Sequence, residues 1–245
     1  MEDRKKVILI TGASSGIGEA TAKKLALKGE KVIMFARRES ELKRIADSVP
    51  NTEISYVVGN VSNYADIETM VNRAMEKYGR VDVLFNNAGV MPTAPLVEGR
   101  RNEWQDMLDI NVTGVLNGIA AALPIMVKQK SGHIITTDSV AGHVVYPGSA
   151  VYCGTKFMVR AVMEGLRQEH LNDNIKSTII SPGAVKTNLL STINDDSVVE
   201  QLKQFFEAID ALKPEQVADA VVFAIDTDPN VSISEILLRP TKQTI

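Results

Sequence analysis

The stretch Thr11-Gly12-Ala13-Ser14-Ser15-Gly16-Ile17-Gly18 decides the fold of this chain. It follows an apolar run, Lys6–Thr11, that reads as a buried strand, and it opens a helical pattern near 17–28. Glycines at such a junction let backbone N–H groups approach a phosphate closely, and the helix N-terminus favours its negative charge. The spacing Gly-x-x-x-Gly-x-Gly differs from the commoner Gly-x-Gly-x-x-Gly. No Gly-Lys-Ser/Thr ending marks a nucleoside-triphosphate loop. A glycine-rich turn can also be purely structural; at a strand-to-helix junction it points to a dinucleotide.

Outward from this turn, short β-rich runs alternate with helical patterns. Expected strands are Lys6–Thr11, Lys31–Ala36, Ile54–Val58, Val81–Phe85, His133–Thr137, Ser177–Ile180 and Ile236–Arg239. Expected helices lie near 17–28, 40–48, 64–78, 102–127, 152–171 and 214–226. Several strands are apolar without alternation, as in parallel strands covered on both faces. The rhythm predicts an α/β, Rossmann-type doubly wound fold: one domain over 1–245, with a seven-stranded parallel sheet and helices on both faces. The Ser-, Thr- and Asn-rich segment after Pro182, with a short helix over 198–210, breaks that rhythm. It reads as a substrate lid over about 182–210, or as a tolerated surface insertion.

The end of the second strand selects the dinucleotide. An acidic residue there would bind the ribose 2′-hydroxyl of NAD. This chain has Ala36 followed by Arg37 and Arg38, and arginine suits a 2′-phosphate through charge-assisted bonds. The expected cofactor is therefore NADP (NADPH), although an arginine pair can also be an ordinary solvated helix start.

Tyr152 stands four residues before Lys156, and Ser139 lies thirteen positions before the tyrosine. Residues four apart on a helix share a face, so phenol and ammonium can point at one spot. A nearby positive charge favours the phenolate and lowers a tyrosine pKa, which general acid–base catalysis near neutral pH requires. Ser139 can then hold the oxygen of a carbonyl or alcohol.

Composition bounds the rest. The 245 residues are 44% apolar with formal net charge −3, which gives no general attraction to nucleic acid or anionic membrane. A single cysteine, Cys153, excludes an internal disulfide and fits a reducing, cytoplasmic location. It reads as a packing residue beside Tyr152 rather than a redox switch. The N-terminal Met1-Glu2-Asp3-Arg4-Lys5-Lys6 is not a signal peptide, and the uncharged run Ile110–Val127 carries too many polar residues and a proline for lipid. No cluster of His, Cys and carboxylates shows metal spacing in the sequence, so no metal is expected.

These residues together resemble the short-chain dehydrogenase/reductase family over essentially the whole chain. Thr11–Gly18 is similar to its glycine-rich turn, and Asn86-Asn87-Ala88-Gly89 to the motif that supports the sheet beside the adenosine. Asn111, Ser139, Tyr152 and Lys156 match the catalytic tetrad in order and spacing. Pro182-Gly183 and Thr187 match the segment flanking the nicotinamide, where the threonine bonds the carboxamide. The ending Glu235-Ile236-Leu237-Leu238-Arg239-Pro240-Thr241 is similar to clavulanic-acid-type dehydrogenases and broad-specificity reductases.

The resemblance implies hydride transfer between NADP(H) and a carbonyl or secondary alcohol. Tyr152 would be the acid/base, Ser139 the oxygen donor, Lys156 a further ligand of the nicotinamide ribose, and Asn111 the holder of a relay water. Cofactor contacts are expected from Gly12, Ser14, Ser15, Gly16, Ile17, Gly18, Arg37, Arg38, Asn60, Val61, Asn87, Ala88, Gly89, Pro182, Gly183, Val185 and Thr187. Asn60 stands where the family usually has an aspartate near the adenine. Asp138, before the serine, has no account from sequence.

Ser139, Met91, His143, Val145, Tyr146 and Leu189, with Val90 and Val144, are expected around a medium-sized, partly apolar substrate. His143 either contacts that substrate or is an ordinary loop histidine. Trp104 reads as core or interface. Helices 102–127 and 152–171 resemble those that pair in family tetramers, so a homotetramer is expected, with a dimer next. A 3-oxoacyl thioester reductase acting on an acyl-carrier protein and a non-catalytic NADP(H) sensor are the competing readings.

Overall fold

In the computed structural model, residues 4–244 are described; Met1, Glu2, Asp3 and Ile245 lie outside the described residues. Strand β1, Val7–Thr11, is apolar at successive positions because both its faces are covered. Ile8 and Ile10 pack on one side of the sheet with Leu25, Leu42 and Val221, while Leu9 packs on the other with Met70, Ala122 and Met163. Each fully buried side chain of this size contributes roughly 1.5–3 kcal/mol relative to exposure.

Seven parallel strands form one sheet in the order β3-β2-β1-β4-β5-β6-β7. The remaining strands are β2 Lys31–Ala36, β3 Ile54–Val58, β4 Val83–Asn86, β5 Gly132–Thr137, β6 Ile175–Pro182 and β7 Glu235–Leu238. Strand order reverses between β1 and β4, so a crevice opens beyond their carboxyl ends. β4 starts two residues later than expected because Gln129 takes both backbone groups of Val81, with Oε1 accepting at 3.0 Å and Nε2 donating at 2.7 Å.

The helices are α1 Gly16–Leu27, α2 Glu39–Asp47, α3 Tyr64–Tyr78, α4 Arg101–Leu108, α5 Gly114–Gln129, α6 Ala150–Glu169, α7 Asp196–Ala208 and α8 Pro214–Asp226. The helix expected over 102–127 is broken by a π-helical turn at Asp109–Thr113 between α4 and α5. The run Arg101–Gln129 is long and apolar enough to cross a membrane by length and composition. Here it packs against α3, β4 and β5, and Leu116 on its outer face is exposed, so it is only partly a core helix.

Candidate active site

The glycine-rich turn is shaped by the backbone it touches. Gly12 has φ +64°, and a Cβ there would stand 2.7 Å from the Cα of Ala88. Ser15 at the start of α1 makes no side-chain cap, which leaves the first backbone N–H groups of the helix facing the crevice. Asn87 binds the strand ends together: its N donates to Thr11 Oγ1 at 3.0 Å, its Nδ2 to the Thr11 carbonyl at 3.2 Å, and Thr137 Oγ1 donates to its Oδ1 at 3.0 Å.

One cleft of about 1170 Å³ runs across these ends. Gly12, Ser14, Ser15, Gly16, Ile17, Arg37, Arg38, Asn60, Val61, Asn87, Ala88, Gly89, Tyr152, Lys156, Pro182, Gly183, Val185 and Thr187 all line it. Gly18 does not. It sits behind the turn, where a Cβ would press on the Gly12 carbonyl and Asn87 Nδ2, so its part is close packing. Arg38 lies across the turn, with Nη2 donating to Ser14 Oγ at 2.9 Å and Ser15 Oγ at 3.1 Å. The Asn60 side chain is turned inward, its Oδ1 accepting from Ser62 N at 3.2 Å. Thr187 Oγ1 accepts from Leu189 N at 3.3 Å and so caps a short 3-10 turn over Asn188–Thr192.

Ser139, Tyr152 and Lys156 meet on the wall of this cleft. Ala141 N donates to Ser139 Oγ at 3.1 Å, and the Ser139 side chain reaches the Tyr152 phenol. The Lys156 Nζ donates to the Thr137 carbonyl at 2.7 Å and lies 5.7 Å from the centre of the Tyr152 ring. Both side chains are almost wholly buried, at 5% exposure each. Burial pushes the Tyr152 phenol above its usual range; Ser139 lowers it, while Asp138 and Cys153 raise it further. The expected lowering by Lys156 is therefore not realised in this arrangement. Burial also lowers the Lys156 ammonium, and Asp138 opposes that.

Asn111 sits in the π-helical turn, a feature often found at functional sites. Its side chain does not line the cleft; its Oδ1 accepts from Val90 N at 2.9 Å and its Nδ2 donates to the Val90 carbonyl at 2.9 Å. That Nδ2 also reaches Thr155 Oγ1 at 3.2 Å, and Thr155 donates to the Tyr152 carbonyl at 2.7 Å. Thr155 thus joins two members of the expected tetrad. Nothing in the sequence distinguishes it from any other helical threonine.

On the substrate side, Val90, Met91, Tyr146 and Leu189 line the cleft as expected, joined by Leu202, Phe205 and Phe206 from the lid segment. His143, Val144 and Val145 do not. Val145 is 63% exposed, and His143 turns towards the far edge of the sheet. The segment over 182–210 is tied to the facing loop and helix, where Met91 N donates to Thr192 Oγ1 at 2.9 Å and Asn194 Nδ2 to Glu103 Oε1 at 2.8 Å. Gln243 also enters the cleft, its Oε1 accepting from Ala184 N at 2.9 Å. Cys153 and Trp104 pack together beneath Tyr152, as expected of core residues.

Contrary to the sequence expectation, three possible metal ligands do converge: atoms of Asp138, His143 and Glu235 lie within 4.8 Å of one another. The Arg160 guanidinium stands among them, with Nη1 at 3.3 Å from Asp138 Oδ2, 2.6 Å from Glu235 Oε1 and 2.9 Å from His143 Nε2. That position belongs to a cation of the chain itself.

Comparison with known proteins agrees with this geometry. An oxidoreductase of Staphylococcus saprophyticus, itself described as uncharacterised, is 45% identical over 244 residues, covering 99% of this chain and 98% of the relative. The closed form of a serine dehydrogenase complexed with NADP+ superposes with TM-score 0.92 at 31% identity, covering 98% of this chain and 96% of the other. A short-chain dehydrogenase/reductase from Burkholderia phymatum in complex with NAD gives TM-score 0.87 at 30% identity, covering 97% and 90%. The family model for short chain dehydrogenase matches residues 6–198. A match of that extent, over a crevice built as described, makes this chain a member of the short-chain dehydrogenase family of oxidoreductases.

Proposed function

We propose that this protein is an NADP(H)-dependent oxidoreductase that interconverts an uncharged, medium-sized ketone or aldehyde and its alcohol. The observation that carries the reading is the meeting of Ser139, Tyr152 and Lys156 on the wall of the same cleft as the glycine-rich turn. A dinucleotide fits the residues present: uncapped N–H groups at α1 suit its pyrophosphate, and Arg37 and Arg38 suit a 2′-phosphate at the adenosine end. The NADP+ complex of the serine dehydrogenase supports that choice, and the NAD complex shows that this fold accepts either dinucleotide.

When bound, the dinucleotide supplies or accepts the hydride. Tyr152 gives its proton to the substrate oxygen in reduction and takes it back in oxidation. Ser139 Oγ accepts from Ala141 N, and its own proton, shared with the Tyr152 phenol in this arrangement, turns to the substrate oxygen and stabilises its developing charge. Lys156, held by the Thr137 carbonyl, keeps a positive charge beside the centre and serves as a donor to a ribose hydroxyl. Asn111 steadies the 90-loop against α6 rather than reaching into the cleft.

The substrate class follows from charge. Among the described residues, the cations lining the cleft are Arg37, Arg38 and Lys156, all assigned to the cofactor side; the substrate side carries Asp195 and is otherwise dominated by Met91, Leu189, Leu202 and Phe205. Among the described residues, a carboxylate such as that of serine would meet no cation on that wall, Arg239 acting only from beside Tyr146, and burying it unpaired is costly. We further assign the 182–210 segment as a lid, and the exposed Leu108, Leu116, Phe157 and Met158 of α4, α5 and α6 as the contact face of a homotetramer or dimer in the cytoplasm.

The test is NADPH oxidation against aldehydes, ketones, quinones and 3-oxo esters, with NADH in parallel. Turnover of neutral apolar carbonyls, with carboxylate-bearing analogues disfavoured, is expected. Preference for acyl-carrier thioesters would replace the reading with the thioester reductase. Stoichiometric NADPH binding without turnover on the whole panel would replace it with a sensor.

A further inference from the structure

Behind the catalytic serine lies a buried polar cluster that none of the foregoing chemistry uses. Asp138 directly precedes Ser139 at the end of β5, and its side chain has no exposed surface. Its backbone N donates to the Ile180 carbonyl at 2.7 Å, and its Oδ2 accepts from Ser181 Oγ at 3.2 Å and from Arg160 Nη1 at 3.3 Å. Arg160 is held in turn by Glu235 of β7, with Nη1 at 2.6 Å from Oε1 and Nη2 at 3.1 Å from Oε2.

Two features point beyond packing. First, Tyr152, Lys156 and Arg160 are spaced four apart on α6, so one helix face carries the phenol, the ammonium and the guanidinium in a row. Asp138 faces that row. Second, the other carboxylate oxygen of Asp138 is buried without a hydrogen-bond partner. An unsatisfied buried carboxylate oxygen costs free energy, and an apolar residue here would avoid that cost.

We propose that Asp138 is a positioning residue of the proton-transfer centre: anchored by Arg160 and Ser181, its carboxylate fixes Ser139 at the end of β5 and sets a negative charge behind Tyr152 and Lys156. The proposal rests on the role given to Tyr152 above. A like charge disfavours the phenolate and an opposite charge favours the ammonium, so Asp138 holds both groups protonated. The directions agree: Asp138 raises both the Tyr152 phenol and the Lys156 ammonium. Its own carboxyl is pushed up by burial and pulled down by Lys156, Arg160 and Ser181.

The charged and titratable groups facing the centre are few. They are Cys153 and Arg160 on α6, His143 and Tyr146 on the turn after β5, Glu235 on β7, and Arg239 just beyond it, which acts on Tyr146. Arg160 and Glu235 both reach His143 Nε2, which accepts from one or donates to the other. The charge nearest the centre within this cluster is Asp138, and its loss shifts the balance in one direction.

The test is Asp138→Asn, with Asp138→Ser as a second variant should the amide misfold by circular dichroism and thermal melting. Two readouts are taken: the pH profile of kcat/KM for carbonyl reduction, and the phenolate titration of Tyr152 by ultraviolet difference absorbance, with Tyr152→Phe as the subtraction blank. Removing the negative charge moves both the loss of reductive rate at high pH and the phenolate titration to lower pH, with KM for NADPH changed less than about twofold. A lowered kcat with both profiles unmoved overturns the proposal and leaves Asp138 a structural residue. Should the wild type turn over no carbonyl at all, the spectroscopic titration still decides the matter for Asp138, so failure of the activity and failure of this inference are separate results.

Discussion

The Lys156 ammonium does not bond the Tyr152 hydroxyl: it donates to the Thr137 carbonyl at 2.7 Å and stands 5.7 Å from the centre of the tyrosine ring. The phenol is therefore governed first by burial, which holds its proton on, and only then by its neighbours. In this state the tyrosine is a proton donor in waiting, suited to reduction.

Direction and pH are thus linked. Reduction needs the protonated phenol, so its rate should stay level through neutral pH and fall only in the alkaline range. Oxidation needs the phenolate, so its rate should climb as pH rises. Steady-state profiles in both directions check this, and an oxidation optimum below neutral pH contradicts it. Tyr152→Phe should lose about 10²–10⁴-fold in turnover while NADPH binding, followed by fluorescence, survives.

Arg38 bridges Ser14 and Ser15 of the glycine-rich turn, the place where we propose that a 2′-phosphate binds. A hydrogen bond to a charged group contributes about 1.5–3 kcal/mol. Arg38→Asp should accordingly lower kcat/KM for NADPH by roughly tenfold or more, at about 1.4 kcal/mol per tenfold, and leave NADH less affected. Equal loss with both cofactors would place Arg38 in loop structure alone.

The segment we propose as a lid is joined to the 90-loop by Thr192 Oγ1, which accepts from Met91 N. Thr192→Val keeps the shape and removes the acceptor, a loss of about 0.5–1.5 kcal/mol. The expected result is a severalfold rise in KM for the carbonyl with thermal stability nearly unchanged. An unaltered KM would show that the segment is a passive surface loop.

His133 is buried in β5, with Nε2 2.7 Å from Thr178 Oγ1, and Nδ1 has no partner. Burial, with Lys176 and Lys6 nearby, depresses it from 6.5 to about 3. The unfolded chain therefore binds a proton that the folded one refuses, and stability is lost as pH falls below about 6.5 towards 3. From this group alone the slope approaches about 1.4 kcal/mol per pH unit. Melting temperatures of wild type and His133→Gln across that range should diverge in neutral solution and converge in acid.

The sequence exposed what depends on neighbours in the chain. The apolar strand before Thr11, the glycine-rich turn that opens a helix and the shared face of Tyr152 and Lys156 are local features, and each is where spacing put it. What needs distant elements was not legible. Asp138 had no account until β6, β7 and α6 brought Ser181, Glu235 and Arg160 around it. The nearness of His143 to Ser139 leaves substrate contact and an ordinary loop role equally open in sequence, whereas the turn after β5 swings it to Glu235. The π-helical turn carrying Asn111 was read as continuous helix, because a single extra residue in a turn leaves no mark on apolar periodicity.

The Arg160–Glu235 pair ties α6, which bears the reactive side chains, to the final strand of the sheet. During synthesis that tether emerges from the ribosome long after Tyr152 and Lys156 have been made. A chain cut short before residue 235 holds Ser139, Tyr152 and Lys156 yet lacks the carboxylate that Arg160 grips, so the helix bearing two of them is clasped only after a further strand has followed it out.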